Sequence, residues 1–195
     1  MMTRIVKTRN KQRTQARILD AVGEIIEQSG MHALGINLLA RTSGHNKVLI
    51  YRYFGDLDHL ISQYIQTVLI KQLRGQVASL EAEVGAKDIS FHITKLLGAL
   101  AANQKLVSIL QWEISQACTV RVAHAFVTEQ FYRVLPGTAT SMPKNALTLI
   151  MCSAFTYLIL QTGNQVGPLC TDLSSPSELE SLQHAVKKIL KNGGR

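Results

Sequence analysis

Asn46, Lys47, Tyr51 and Tyr53 fall within eight residues of the stretch "SGHNKVLIYRYFGDLDHL", residues 43–60. The Lys47 ammonium and the two phenol hydroxyls can donate to anionic oxygens. An asparagine ahead of an apolar run can accept the open backbone N–H groups of a helix start. Ile50 and Phe54, four apart, would face inward, leaving Lys47, Val48 and Leu49 on an exposed leading turn. The tyrosines can rest their rings on protein while the hydroxyls reach out, as phosphate contacts do. A core strand would need neither the hydroxyls nor the asparagine, and a loop would not need the apolar residues.

Short helices position these groups. The spacing predicts one helix at 36–43, with Ile36, Leu39 and Ala40 inside, broken by Gly44. A second fits 47–54, with Asn46 as N-cap and Gly55 as its stop. Asp56 then caps a long helix through Leu57, Leu60, Ile61, Tyr64, Ile65, Val68 and Leu69 toward Leu80. Before them, Ile18, Val22, Ile25 and Ile26 predict a helix over 12–29 that stops at Gly30. Lys11, Arg13 and Arg17 at its start oppose the helix dipole, at a cost of ~0.3–1 kcal/mol each. Two short helices joined by a glycine turn make a helix-turn-helix, whose second helix enters the DNA major groove N-terminal end first.

The charge agrees. Residues 1–55 hold nine of the chain's 21 lysines and arginines but three of its 13 acids, so most of the net +8 lies there. That asymmetry points to a polyanion partner for the N-terminal quarter. Arg4 to Arg13 would form a basic arm on the minor groove or backbone.

The remaining 140 residues support a larger helical body. Hydrophobic residues make up 46% of the 195, with only four prolines. Helices are predicted at about 88–102, 104–117, 119–135, 144–162 and 176–191, the last with Ser175 as N-cap and Pro176 at its first position. The expected fold is all-α, a three-helix DNA-binding head over residues 1–56 and a helical body over 57–195, about nine helices in all. Cys118, Cys152 and Cys170 are widely spaced and read as buried thiols of a reducing compartment.

Residues 1–20 contain no apolar core of a secretory signal, and the apolar run 146–160 is too short to span a bilayer comfortably. A cytoplasmic protein without a membrane partner is expected. The six histidines show no metal-binding or catalytic spacing, and no glycine-rich phosphate loop or GxSxG occurs. No enzymatic activity, metal or cofactor is expected. A competing reading is a helical adaptor that holds acidic protein or membrane through its basic end. Such an adaptor would not require an asparagine-capped Tyr-x-Tyr-Phe helix after a glycine turn.

"ARILDAVGEIIEQSG" followed by "LGINLLARTSGHNKVLIYRYFGDLDHL" resembles the N-terminal domain of TetR-family transcriptional regulators over about residues 12–65. The resemblance implies that Tyr51 binds phosphate and that Lys47, Val48, Leu49 and Tyr53 face bases or nearby backbone. Asn37 would read a base, with His45, Asn46 and Arg13 completing the DNA-binding set. Gly35, where threonine is common, and Leu57, where lysine is frequent, would each remove a phosphate contact. Val48 and Leu49 can touch thymine methyls but cannot hydrogen-bond base edges.

The resemblance further implies a homodimeric repressor of a palindromic operator in double-stranded DNA, released by a small-molecule effector. A constitutive regulator without an effector is the nearest alternative. Polar groups on apolar helices would line the ligand pocket: His92, Gln111, Trp112, Glu113, Gln116, Tyr157 and Gln161. A lone glutamate there would suit a cationic or hydrogen-bonding ligand. The dimer surface would use helices 144–162 and 176–191, through Leu147/Met151/Phe155/Leu158 and Leu179/Leu182/Val186/Ile189.

Overall fold

The computed structural model describes residues 2–84, 89–115, 121–134, 144–161, 173 and 175–192. Side chains at 2–9, 83, 84, 144–148, 159, 160, 191 and 192 lie outside that description. The chain divides into two compact units, Met1–Lys71 and Gln72–Arg195.

In the first unit, α1 (Met2–Ser29) runs to Gly30, whose φ of 76° is the left-handed conformation that ends helices. A 3-10 turn (Met31–Ala33) leads to α2 (Ile36–Ser43), α3 (Lys47–Phe54) and α4 (Leu57–Tyr64). α1 packs on α2 and α4, and α3 packs on the same two helices. Ile18, Val22, Ile25, Ile26, Leu39, Ile50, Phe54, Leu60, Ile61 and Tyr64 form the core. Of the inner face expected for α2, only Leu39 is fully enclosed; Ile36 and Ala40 sit at its edge.

Two features depart from the expected helices. α1 begins at Met2 rather than near residue 12, so Lys11, Arg13 and Arg17 lie well inside it. The dipole penalty expected for them falls away, because that field fades beyond the first turn. The long helix after Asp56 is also not uniform: a π-helical stretch, Ile65–Leu69, separates α4 from α5 (Ile70–Val84). The Ile70 amide donates five residues back, to the Ile65 carbonyl. Ile61, Ile65 and Leu69 are all buried at a spacing of four. At ~100° per residue that spacing drifts about 40° per step in an α-helix, and the wider turn takes up the drift.

The second unit contains α6 (Ile89–Ala101), α7 (Gln104–Ser115), α8 (Val122–Val134), α9 (Lys144–Gln161) and α10 (Pro176–Asn192). α6 packs on each of the other four, and α9 also contacts α7 and α8. Ile93, Leu96, Leu97, Leu100, Leu106, Ile109, Leu110, Phe126 and Phe131 are enclosed, and Phe131 stacks on Phe155 with centroids 4.7 Å apart. Cys152 is a free buried thiol whose pKa is raised by that burial; Cys118 and Cys170 lie outside the described residues. No helix of the described residues is long and apolar enough to cross a membrane. The fold is all-α.

Candidate nucleic-acid interface

The turn between α2 and α3 is built by four consecutive residues. Ser43 closes α2, and Gly44 takes φ 70° and ψ 20°, where a side chain would be strained. His45 turns its Nε2 into the interior, where it has no hydrogen-bond partner; the enclosed Ser43 Oγ has none either. Asn46, extended, then accepts the Leu49 N–H on its side-chain Oδ1 at 2.8 Å. That bond satisfies one of the open donors at the end of α3 that faces outward. Gly55, at φ 83°, ends α3, and its N–H donates to the Tyr51 carbonyl.

Asp56 starts the next helix by the same device. Its Oδ1 accepts the His59 N–H at 2.7 Å, and its Oδ2 lies 2.9 Å from His59 Nδ1. The His59 backbone bond, then its ring bond, hold the Asp56 carboxyl below the usual aspartate range. α2 lacks such a cap: Gly35 precedes it with no side-chain bond.

α3 is two-sided. Ile50 and Phe54 are buried against the unit's core. Lys47 and Arg52 are exposed, Val48 is 75% exposed and Tyr51 45%. Leu49 and Tyr53 are half-buried. A valine held that far into solvent at a helix start gains nothing from the protein's own core. Asn37 on α2 and Arg13 on α1 are exposed as well. Of the nine residues expected to meet DNA, only His45 turns a ring nitrogen inward.

Two cations lie beside that set: Lys11, within the expected basic arm, and Arg52, which the sequence reading gave no role of its own. Lys11 Nζ lies 5.7 Å from the centroid of the Tyr53 ring, and the Arg52 guanidinium carbon 5.5 Å from it. At exposed sites each such contact contributes ~0.5–1 kcal/mol. Both cations are otherwise without an ion-pair partner among the described residues. Their basic character is plain in the sequence, but the closeness of α1 to the end of α3 is a tertiary fact.

The residues expected around a ligand scatter. His92, Gln111, Trp112 and Gln161 are half-buried, Tyr157 is exposed, and Gln116 lies outside the described residues. Glu113 is 1% exposed, and its two oxygens accept the N–H groups of Ala123 at 2.9 Å and His124 at 3.0 Å. Its carboxylate thus closes the start of α8. Gln130 and Thr156, not expected there, are also enclosed. A groove of about 250 Å³ between α6 and α10 is lined by Phe91, Thr94, Lys95, Pro176, Leu179, Glu180 and Gln183, none of them in the expected ligand set.

The residues expected at a dimer surface divide. Met151, Phe155 and Val186 are buried inside the unit; Leu158, Leu179 and Leu182 are half-buried, and Ile189 is exposed. The Leu147 side chain lies outside the described residues. The outward apolar residues of α9 are instead Leu149, 68% exposed, with Ile150 and Tyr157. Among the described residues no group of three or more His, Cys, Asp or Glu is placed to hold a metal ion.

This chain is similar to known proteins. Residues 18–64 match the family model of bacterial regulatory proteins of the tetR family. The HTH-type transcriptional repressor SCO4008 of Streptomyces coelicolor is 26% identical over 124 residues, 64% of this chain and 62% of that one. The match therefore spans under two thirds of that repressor's length. The fold is similar to a Rhodococcus sp. chain described as a TetR-family transcriptional regulator: TM-score 0.60, 15% identity, covering 91% of this chain and 99% of that one. It is also similar to NalD of Pseudomonas aeruginosa, the secondary repressor of the MexAB-OprM multidrug efflux pump: TM-score 0.54, 14% identity, 92% and 96% covered. Residues 18–64, which hold the turn glycine, the asparagine cap and the two-sided third helix described above, are thus the part of this chain that is similar to the bacterial regulatory proteins of the tetR family.

Proposed function

We propose that the protein is a cytoplasmic transcriptional repressor that binds a palindromic operator as a homodimer and is released by a small-molecule effector. Residues 1–56 would read double-stranded DNA, and 57–195 would bind the effector and form the dimer. The observation that carries this reading is α3: capped at its outward end by Asn46, apolar toward the core through Ile50 and Phe54, and presenting Lys47, Val48 and Tyr51 to solvent. Asn37, Tyr53 and Arg13 extend that surface. Lys47 and Asn37 carry hydrogen bonds to base edges, Val48 and Leu49 contact thymine methyls, and Tyr51 holds phosphate. SCO4008 and NalD are both named repressors, which favours repression.

A homodimer must place two α3 helices in successive major grooves, roughly 34–36 Å or a multiple apart. The exposed Leu149, Ile150, Tyr157 and Ile189 on α9 and α10 support a dimer surface there. An effector that prefers a dimer of the wrong spacing lowers operator affinity by its differential affinity for the two states.

Selection of bound sites from random duplex DNA tests the reading. A palindromic consensus is expected, with half-sites one helical turn or a multiple apart. Recovery of unrelated sequences, with retention set by salt alone, would reject sequence-specific regulation. Loss of operator binding on adding a compound that raises the melting temperature separates an effector-controlled repressor from a constitutive one.

A further inference from the structure

We infer that Lys11 and Arg52, gathered on the Tyr53 ring, form a clamp for the phosphodiester backbone of duplex DNA, beside the base-reading face of α3. The inference rests on the DNA-binding reading above and adds two contacts to it.

Two cations converge on one aromatic ring, at 5.7 Å and 5.5 Å from its centroid. Arg52 is the chain neighbour of Tyr53 on α3, but Lys11 comes from α1, so its approach to the same ring is a tertiary contact and not one of local spacing. Like charges gathered this way repel each other and are favoured when an anion joins them. The protein supplies none: neither residue is ion-paired among the described residues, and both are exposed. Asp56, four residues beyond Arg52, is bonded to the His59 backbone and ring.

The chemistry selects phosphate. A guanidinium offers a planar fork of N–H donors that matches phosphate oxygens, and an ammonium adds a point charge. The half-buried Tyr53 ring gives each head an aromatic contact and spares part of the entropy of ordering two long side chains. Arg52 follows Tyr51, the phenol proposed to hold phosphate, and both are exposed on α3. The clamp carries no base information, because a phosphodiester is the same at every step. Tyr53 is thereby a positioning residue, and the two cations make the contact.

The test is the salt dependence of binding by the full-length protein to a fluorescent duplex bearing its selected site. Each cation that leaves a phosphate makes the slope of log affinity against log salt shallower by about 0.9. In the proposed homodimer each substitution removes two such contacts, so Lys11→Gln and Arg52→Gln should each flatten the slope by about 1.8 and the double variant by about 3.6. The preferred sequence should be unchanged. Lys11→Arg and Arg52→Lys, which keep the charge, should keep most of the slope. Tyr53→Phe, which keeps the ring, should keep all of it, whereas Tyr53→Leu should flatten it toward the double variant.

A correctly melting double variant with the wild-type slope would overturn the clamp while leaving the repressor reading intact. Wild-type protein that binds no duplex at low salt would end both. Vesicles of phosphatidylglycerol serve as the control anion: loss of vesicle binding in the double variant, with duplex binding untouched, would assign the cations to a membrane and overturn the proposal.

Discussion

The side-chain oxygen of Asn46 accepts the Leu49 amide at 2.8 Å, fixing the first turn of α3 at the end that leaves the protein surface. Asn46→Ala removes that acceptor. The variant should lose about 1 kcal/mol of stability and bind its operator more weakly, because the exposed end of α3 frays. Asn46→Ser, which keeps a capping oxygen, should restore most of both. Thermal melts beside gel shifts decide it: an Asn46→Ala protein as stable as wild type would show that the cap contributes nothing.

Tyr51 and Lys47 should separate by kind of effect. Tyr51→Phe removes one hydroxyl from an exposed ring and should weaken binding to specific and random duplexes alike, by about tenfold for one bond to a charged group. Lys47→Ala should relax the preference at one base position. Measured at fixed salt, a Tyr51→Phe protein with altered sequence preference would contradict these roles.

Gly23 sits in α1 where the Tyr64 hydroxyl crosses it. A Cβ at Gly23 would lie 2.9 Å from that oxygen, and Tyr64 is buried. Gly23→Ala gains ~1 kcal/mol of helix propensity but forces the ring aside, which costs about 1–3 kcal/mol in a packed core. Net destabilisation is expected in a denaturant titration. Adding Tyr64→Phe, which deletes the clashing oxygen, should recover much of the loss.

The same phenol predicts an alkaline weakness. Burial first, then the carboxylates of Glu27 and Asp20, pushes the Tyr64 pKa up to about 12 from an ordinary 10. The folded state therefore holds this proton more tightly than the unfolded chain. Its contribution is complete below pH 10 and is lost as pH rises from there through about 12. The pH dependence of stability over that window should flatten in Tyr64→Phe; an unchanged slope would place the weakness elsewhere.

Glu113 should behave as a structural acceptor. Glu113→Ala leaves the Ala123 and His124 amides at the start of α8 without their partner, a loss of about 1–3 kcal/mol. Glu113→Gln, with one carbonyl oxygen, should lose less. A ligand contact would give the opposite pattern: an unchanged melting temperature and altered effector affinity in Glu113→Gln.

Much of the first unit was legible because its signals are local. An asparagine before an apolar turn, glycines at Gly30, Gly44 and Gly55, and apolar side chains at helical spacing act within a few residues, so the bounds of α2 and α3 emerge from the sequence as the structure has them. The start of α1 and the π-helical turn at Ile65–Leu69 did not emerge. A polar, basic stretch such as residues 2–11 has no apolar stripe, and a widened turn relieves a drift that apolar spacing alone does not display.

The sequence by itself determined that the chain is helical, that a basic, asparagine-capped helix follows a glycine turn, and that three residues, Lys47, Val48 and Tyr51, could share its outer face. Only the tertiary structure decided which apolar face of α9 turns inward, taking Met151 and Phe155 and leaving Leu149 and Ile150 outside. It also decided that Glu113 closes α8 and that Lys11 meets Tyr53. The physical reason is range. Caps and turns are settled by backbone bonds between near neighbours, whereas burial and the pairing of distant charges depend on which helices come together, and neither unit's packing is encoded in any one window of residues.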